Sequence, residues 1–293
     1  MFEGFTELRI KTGGTEIFLK KGGKGPPLLL LHGYPQTHVT WHKVAPELAE
    51  RFTVIIPDLR GYGASGKPAA VLDHSTYSKR AMAQDMVEVM DHLGFSRFYL
   101  AGHDRGGRVA HRLALDHPAR LEKLALLDIA PTRDMYRLTD QAFATAYYHW
   151  FFLIQPFPFP EKILAACPDL LLDKTFAAWR GAGDSPFDPA ALAHYHAAFR
   201  DPEVIHASCE DYRAGATIDL VHDEADLDHR IACPLLILWG ENGVVERCFD
   251  PMALWQARAA RPLRGKALPC GHFLPEEAAD ATLRELLAFF DRQ

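Results

Sequence analysis

The sequence has few cysteines, and they stand apart from one another. Their number among the 293 residues is odd, and no two have the C-x-x-C spacing of a zinc or redox site. A chain of this length also needs no disulfide bonds to stabilise its core. These absences exclude a disulfide framework and favour the reducing conditions of the cytoplasm. The cysteines are Cys167, Cys209, Cys233, Cys248 and Cys270.

Long apolar runs, targeting signals and an excess of one charge are absent as well. No stretch approaches the roughly 18 apolar residues that a membrane-spanning helix requires. The opening MFEGFTELRI lacks the basic and apolar regions of a signal peptide. The net charge of −6 gives no reason to expect nucleic acid or a membrane surface as a partner. We therefore expect a soluble, cytoplasmic globular protein that binds small molecules.

Short apolar runs alternate with helical segments through the first part of the chain. The runs PPLLLLHGYP, FTVIIPDLRG, RFYLAGHD and LEKLALLDIAP are bounded by turn residues and predict buried strands. Residues 78–93 and 105–116 have helical periodicity. Strands that alternate with helices predict an α/β fold, with a mostly parallel sheet flanked by helices.

The alternation stops at Pro131 and resumes near residue 229. Between these points the chain is rich in aromatic residues and histidine, and it carries helical segments without obvious strands. The buried-strand pattern returns at CPLLILWGENG and is followed by a last strand, GKALPC, and a helix. The sequence therefore predicts a core of residues 1–130 and 229–293, with a helical cap of residues 131–228 inserted into it.

The segment Gly102-His103-Asp104-Arg105-Gly106 has the glycine frame of a nucleophile elbow, in which a strand turns sharply into a helix. Many hydrolases place a serine at its centre, where this chain has Asp104. A helix start keeps a carboxylate ionised, and a carboxylate displaces leaving groups from sp³ carbon to give an ester. A helix N-cap is the simpler role for such an aspartate. The glycine frame after a buried strand favours the nucleophile.

Hydrolysis of such an ester requires a base and a group that orients it. His272, in PCGHFLPEE after the last predicted strand, stands where a triad histidine is expected. Gly243 occupies the usual position of the acid, in LWGENGVV. Asp128 ends the strand after the elbow, at the same sheet edge as Asp104, and is the preferred candidate for the acid. Glu241 is the second candidate.

Arg105 and Arg108 lie three residues apart, on one face of the first helical turn. Cations at a helix N-terminus oppose the helix dipole by about 0.3–1 kcal/mol each, so the pair predicts a nearby anion. Guanidinium groups suit a carboxylate because they bind it with two parallel hydrogen bonds. We expect the pair to bind an anionic substrate and to offset its repulsion by Asp104. Ion pairs with acids elsewhere are the simpler alternative.

Two segments of the predicted cap carry imidazole, indole and phenol groups, which are neutral hydrogen-bond donors. They are YYHW, residues 147–150, and EDYRAG, residues 210–215. In a dry pocket such donors stabilise a leaving anion as it forms. Packing between cap helices explains aromatic clusters equally well, and the residues alone do not decide between the two roles.

Taken together, these motifs resemble the α/β-hydrolase superfamily and, more narrowly, the haloacetate (fluoroacetate) dehalogenases. The segments HGYPQT, GHDRGGR, LDIAPT, YHWFFL, EDYRAGATID and GHFLPEE follow the family's order along most of the chain. The resemblance implies an α/β-hydrolase fold with an inserted helical cap, assembled as a homodimer. It also implies hydrolysis of small 2-haloacids to 2-hydroxy acids and halide, without a metal or cofactor.

The resemblance further implies three groups of site residues: a nucleophile with its base and acid, a clamp for the substrate carboxylate, and donors for the departing halide. In that order they are Asp104, His272 and Asp128; Arg105 and Arg108; and His149, Trp150 and Tyr212. The sequence departs from the family at Tyr34, which stands where phenylalanine is expected after the His-Gly pair. We expect its hydroxyl to alter the polarity of the substrate-binding pocket.

Other functions fit parts of the same pattern. An epoxide hydrolase shares the aspartate elbow and the histidine, and Tyr148 with Tyr212 would protonate the epoxide oxygen. Against it stands Arg105, where those enzymes usually carry tryptophan. A non-catalytic ligand-binding protein of the same fold would be expected to lack part of the catalytic set. A metal enzyme has little support, because no carboxylate pattern accompanies His38 and His42.

Overall fold

The computed structural model describes residues 1–291, and its core is a sheet of eight strands. In chain order the strands are β1 Thr6–Lys11, β2 Glu16–Gly22, β3 Pro27–Leu31, β4 Thr53–Pro57, β5 Phe98–His103, β6 Leu121–Leu127, β7 Leu235–Gly240 and β8 Arg264–Leu268. Their order across the sheet is β1-β2-β4-β3-β5-β6-β7-β8. Across the sheet from β4 to β8, each strand is parallel to its neighbour. Strand β2 is antiparallel to both β1 and β4. The prediction of a mostly parallel sheet is therefore confirmed.

Helices flank this sheet and also form a long insertion. The helices are α1 Ala45–Leu48, α2 Lys79–His92, α3 Arg105–Asp116, α4 Thr132–Arg137, α5 Gln141–Ala146, α6 His149–Phe152, α7 Phe159–Ala166, α8 Pro168–Trp179, α9 Pro189–Phe199, α10 Pro202–Ala216, α11 Ile218–Ala225, α12 Val244–Cys248, α13 Pro251–Gln256, α14 Leu274–Glu277 and α15 Ala279–Phe290. Helices α4 to α11 follow one another between β6 and β7 with no strand among them. These helices lie within residues 131–228, for which the sequence predicts a cap, and the division into core and cap stays a prediction.

The structure describes the N-terminal end of the predicted core but not the last two residues of its C-terminal end. At the N-terminal end, β1 and β2 form a hairpin with Lys11 opposite Glu16, so its turn contains Gly13 and Gly14. At the C-terminal end, residues 292 and 293 lie outside the described residues. Within residues 1–291, no helix combines the length and the apolar character needed to cross a membrane.

Composition explains why β3 and β5 occupy the middle of the sheet. Leu28, Leu29, Leu30 and Leu31 of β3 are all buried, and helices cover both faces of a parallel sheet. A continuous apolar run is stable only in such a position, because an exposed face would leave alternate leucines in water. The sheet therefore fixes the position of the loop after β3, which leads to Tyr34.

The carboxyl ends of β5 and β6 bring two aspartates together. Gly102 of β5 is in register with Leu126 of β6, and each strand ends at the residue directly before an aspartate. Asp104 has φ of 46° and Asp128 has φ of 50°. Residues other than glycine rarely adopt this backbone conformation, because it costs energy that the surrounding structure must offset. Both turns therefore hold their carboxylates at one sheet edge.

Two glycines allow helix α3 to start directly against the sheet. A Cβ atom on Gly106 would lie 2.4 Å from the carbonyl oxygen of His32 and 2.7 Å from the carbonyl carbon of Leu31. A Cβ atom on Gly102 would lie 2.5 Å from the carbonyl oxygen of Gly106. The obstructing atoms belong to the backbone, so they cannot move aside as a flexible side chain does. The glycine frame seen in the sequence is thus a packing requirement of the elbow.

We predict that Gly106→Ala lowers the free energy of unfolding by about 1–3 kcal/mol or more, because the methyl group overlaps the backbone of β3. Denaturant unfolding followed by circular dichroism measures this change.

The matched control is Gly13→Ala, in the exposed hairpin turn, where the nearest atom to a new Cβ is a Glu88 carboxylate oxygen at 3.5 Å. Its effect should stay within about 0.5 kcal/mol. Equal effects of the two substitutions would contradict the packing argument.

Candidate active site

Asp104 lies between the end of β5 and the start of α3, and it is only 4% exposed. The backbone N–H of Tyr34 donates to its Oδ1 at 2.9 Å. A Cβ atom on Gly33 would lie 2.5 Å from the Asp104 Cβ, so only glycine allows this approach. The Asp104 side chain makes no capping hydrogen bond to α3, which argues against the simple N-cap role.

Charge around Asp104 keeps its carboxyl group ionised. Burial raises the pKa of Asp104, but the positive charges of His272 and Arg108 lower it more, and the net pKa lies below its ordinary value. A buried carboxylate in this state is a nucleophile whose reactivity is not reduced by a full hydration shell.

His272 lies between the two aspartates. Its Nδ1 donates to Asp128 Oδ2 at 2.6 Å, and its Nε2 lies 4.0 Å from Asp104 Oδ2 without a hydrogen-bond partner. Burial lowers the pKa of His272, but the hydrogen bond and negative charge of Asp128 raise it more, so the net pKa lies above its ordinary value. The free Nε2 is the atom available to take a proton.

The geometry also favours Asp128 over Glu241 as the orienting acid. The backbone N–H of Gly240 donates to Asp128 Oδ1 at 2.9 Å, which fixes the carboxylate against β7. A Cβ atom on Gly243 would lie 3.3 Å from the same oxygen. The carboxylate of Asp128 thus fills the space beside the usual acid position, whereas Glu241 is exposed.

Two residues near His272 were not identified from the sequence. The hydroxyl of Tyr147 lies 3.2 Å from His272 Nδ1, and the ring of Trp179 lies 5.4 Å from the imidazole. The His272 backbone N–H donates to the carbonyl oxygen of Trp179 at 2.9 Å. Tyr147 was within the aromatic segment of interest, but Trp179 ends α8 with no local motif to mark it.

Arg108 is buried beside Asp104, and no carboxylate of residues 1–291 forms an ion pair with it. Its Nη1 donates to the Ala130 carbonyl and to Thr132 Oγ1, its guanidinium lies 4.6 Å from the ring of Trp150, and its Nε has no partner. Burial lowers the pKa of Arg108. Its charge is thus available to an anion bound near Asp104.

Arg105 is held differently from its neighbour. Its Nε and Nη2 donate to the two carboxylate oxygens of Asp211 at 2.9 and 2.7 Å. Lys79 and the Tyr62 hydroxyl donate to the same carboxylate. The guanidinium also lies 4.1 Å from the ring of Tyr212, and Nη1 makes no hydrogen bond within the described chain. The alternative of an ion pair within the chain therefore holds for Arg105, and the binding of a substrate by the two arginines stays a prediction.

Three donors of the cap segments are buried without a hydrogen-bond partner. They are His149 Nδ1, Trp150 Nε1 and the Tyr212 hydroxyl. Burial holds the pKa of His149 well below, and that of Tyr212 well above, its ordinary value, so both are neutral. A buried donor without an acceptor is costly and therefore uncommon. Three in one place indicate a site for an acceptor, beyond a role in packing.

Two further tyrosines lie at different depths. Tyr34 is buried, with its ring stacked on His149 at 6.0 Å and edge-on to Tyr212 at 5.2 Å. Tyr148 is only half-buried, and the ammonium of Lys174 lies 4.7 Å from its ring centroid. Tyr34 thus belongs to the pocket wall, whereas Tyr148 borders a depression on the outer surface.

A separate cluster on the cap offers metal-ligating groups. Donor atoms of Glu161, His206 and Glu210 lie within 4.8 Å of one another. Both carboxylates already pair with Arg213, at 2.6 and 2.7 Å. The guanidinium supplies the positive charge that a metal would otherwise provide, so this cluster is explained as an ion-pair network.

Comparison with known proteins agrees with this geometry. A family model described as the alpha/beta hydrolase fold matches residues 26–279. A fluoroacetate dehalogenase from Burkholderia sp is 47% identical over 289 residues, which cover 99% of this chain and 95% of that protein. A soluble epoxide hydrolase from Corynebacterium sp. (strain C12) is 34% identical over 282 residues, 94% of each protein. A crystal structure from Nostoc sp PCC 7120, assigned to the alpha/beta hydrolases, matches with a TM-score of 0.98 and 58% identity over all of both chains.

We predict that Asp128→Asn lowers the pKa of His272, because the amide removes the negative charge that stabilises the imidazolium while burial continues to oppose it. The activity that requires neutral His272 should then extend to lower pH in the variant, even though its maximum rate falls. Titration of the imidazole by NMR measures the shift directly.

The matched control is Glu241→Gln, which removes the same charge from the exposed second candidate. It should leave the titration of His272 unchanged. A shift in the control and none in Asp128→Asn would exchange the roles of the two acids.

Proposed function

Because the chain belongs to the haloacetate dehalogenases of the α/β-hydrolase superfamily, and is an enzyme acting on carbon–halogen bonds, we propose that it hydrolyses small 2-haloacids such as chloroacetate and fluoroacetate. The products are a 2-hydroxy acid and halide. The proposal rests above all on the three buried donors without partners, His149, Trp150 and Tyr212, in the pocket of an ionised aspartate. A halide leaving an sp³ carbon is an acceptor of suitable size and charge for them.

The first step is displacement at the α-carbon. A carboxylate oxygen of Asp104 attacks this carbon, the carbon–halogen bond breaks with its electron pair, and the halide is received by the neutral donors. The intermediate is an ester between Asp104 and the α-carbon of the acid. Single displacement inverts the configuration of a chiral α-carbon.

The second step is hydrolysis of that ester. His272 takes a proton from water through its free Nε2, and the water oxygen adds to Cγ of Asp104. Asp128 stabilises the imidazolium that forms. The Tyr34 N–H, which donates to Asp104 Oδ1 at 2.9 Å, is positioned to stabilise the resulting oxyanion. Collapse releases the 2-hydroxy acid and restores the carboxylate.

The two arginines offset the negative charge of the substrate. An anionic acid approaching an anionic nucleophile is repelled unless a cation lies between or beside them. Arg108 supplies that cation, and Arg105 adds Nη1 while its other two nitrogens stay on Asp211. Tyr34 lines the same pocket and sets its polarity. No cofactor or metal takes part in these steps.

The alternative functions fit the same site less well. An epoxide hydrolase with Tyr148 and Tyr212 as paired acids is disfavoured because Tyr148 is half-buried beside Lys174. A neutral haloalkane has no anionic group that Arg108 could bind. A non-catalytic binding protein would not need an oriented base with a free Nε2. The family resemblance also supports a homodimer located in the cytoplasm.

We predict that Asp104→Asn lowers halide release from chloroacetate by about a thousandfold or more, and that His272→Ala releases halide once per protein and then stops. The stalled protein should gain the mass of one carboxymethyl group, on Asp104. In one turnover of the unaltered protein in ¹⁸O-water, the label should enter Asp104 and not the product.

The control for the histidine is His92→Ala, on the exposed face of α2, which should turn over normally. Labelled product from the first turnover would exclude the ester and leave direct attack by water.

We predict that Arg108→Gln lowers kcat/KM for chloroacetate by roughly ten- to hundredfold. This range corresponds to the loss of about 1.5–3 kcal/mol that is typical of a hydrogen bond to a charged group. The kcat/KM for the neutral chloroacetamide should fall much less. The measurement is the ratio of the two kcat/KM values in both proteins. A general distortion of the pocket would lower both equally, and an unchanged ratio would contradict the carboxylate-binding role.

A further inference from the structure

The buried donors of this pocket have a capacity that halide release does not use. Halide departs as a stable anion and needs only hydrogen bonds, whereas an alkoxide needs a proton. We propose that the same pocket also opens small 2,3-epoxy carboxylates, of which glycidate (oxirane-2-carboxylate) is the simplest. This inference rests on the proposed function, since it uses the same nucleophile, base and carboxylate site.

Tyr212 is the group able to supply that proton. Its hydroxyl is buried without a partner, and its ring centroid lies 5.4 Å from that of His149 and 6.4 Å from that of Trp150. An indole N–H or a neutral imidazole N–H is too weakly acidic to protonate an alkoxide at neutral pH, but a phenol is acidic enough. Burial raises the pKa of Tyr212, so it keeps its proton until a strong base forms beside it.

The surroundings of Tyr212 also suit its deprotonated form. The guanidinium of Arg105 lies 4.1 Å from the Tyr212 ring centroid, and its charge opposes the effect of burial on the pKa of this phenol. A transient phenolate would therefore have a cation at its face. The Asp211 carboxylate holds that guanidinium in place through two hydrogen bonds.

The other tyrosines of the region are less suited. The Tyr147 hydroxyl lies 3.2 Å from His272 Nδ1 and belongs to the base. Tyr148 is half-buried beside Lys174. The ring of Tyr34 stacks on His149, but among residues 1–291 its hydroxyl is not one of the fully buried groups that lack a partner, unlike that of Tyr212. Tyr212 is thus the phenol placed with the halide donors.

Glycidate matches the site in charge and is close to chloroacetate in size. Its carboxylate provides the anion that Arg108 lacks in the structure. Its C2 is an sp³ carbon next to the carboxylate, as in a 2-haloacid, and its oxygen takes the position of the halogen. The molecule has one heavy atom more than chloroacetate, so a pocket for small 2-haloacids needs little additional room.

The steps balance without an added reactant other than water. Asp104 attacks C2, the C2–O bond breaks, and the oxygen stays on C3 and takes the proton of Tyr212. His272 then deprotonates water, which adds to Cγ of Asp104, and collapse releases the C2 oxygen with the proton from His272. The carboxyl proton left on Asp104 returns to Tyr212 through solvent. The net reaction is glycidate plus water giving glycerate.

The experiment incubates one preparation of the purified protein separately with chloroacetate and with glycidate, and measures chloride and glycerate. Asp104→Asn gives the background for both. We expect glycerate to form well above that background, and the uncharged 1,2-epoxypropane to react at least about tenfold more slowly, since it lacks the carboxylate. Chloride release without glycerate would overturn this inference alone; the absence of both reactions would overturn the proposed function as well.

A pair of variants tests the role of Tyr212. Tyr212→Phe keeps the ring over Arg105 and removes only the hydroxyl, so chloride release should fall by about tenfold and glycerate formation by about a thousandfold. The matched variant Tyr148→Phe removes a half-buried phenol beside Lys174 and should change the ratio of glycerate formation to chloride release by less than about threefold. A fall in that ratio for Tyr148→Phe and not for Tyr212→Phe would overturn the assignment of the acid.

Discussion

The site depends on keeping an ionised carboxylate out of water. Burying a lone carboxylate is very unfavourable, so the charge of Asp104 requires compensation from its surroundings. The compensation comes from the Tyr34 N–H, the Arg108 guanidinium and the His272 imidazole held by Asp128. These groups come from four separate parts of the chain. The register of the parallel strands, the positive φ values and the closely packed glycines are the backbone features that bring them together.

Neighbouring charges explain why two similar arginines have different roles. Asp211 accepts hydrogen bonds from Arg105, Lys79 and Tyr62 in a fully buried network, and Asp219 adds a second carboxylate near Lys79. Two cations thus meet two anions, and this network is close to neutral. Arg108 lies outside it with no acid of its own. Its charge is therefore shared only between Asp104 and the anionic substrate that we propose to bind beside it.

Strand ends made much of this site predictable from the sequence. Asp104 and Asp128 follow apolar runs that are easily identified as strands, so their positions at one sheet edge could be inferred. The contacts of Trp179 and Asp211 could not, because helical periodicity identifies an apolar face but not what that face covers. The hydrogen bonds between Arg105 and Asp211 join residues 106 positions apart, and their formation depends on how the inserted helices pack on the sheet. For the same reason, the sequence could not distinguish the contacts of Arg105 from those of Arg108.

In the proposed mechanism, the unpaired donors give up stability for chemistry. A packed interior normally pairs its buried N–H and O–H groups, as it does for Arg213 with Glu161 and Glu210. At His149, Trp150 and Tyr212 the rule fails three times in adjacent side chains. An acceptor supplied by the protein would satisfy these donors permanently and remove their ability to stabilise a leaving group. Only an acceptor that forms during the reaction uses them in the transition state, and interactions made there are the ones that accelerate a chemical step.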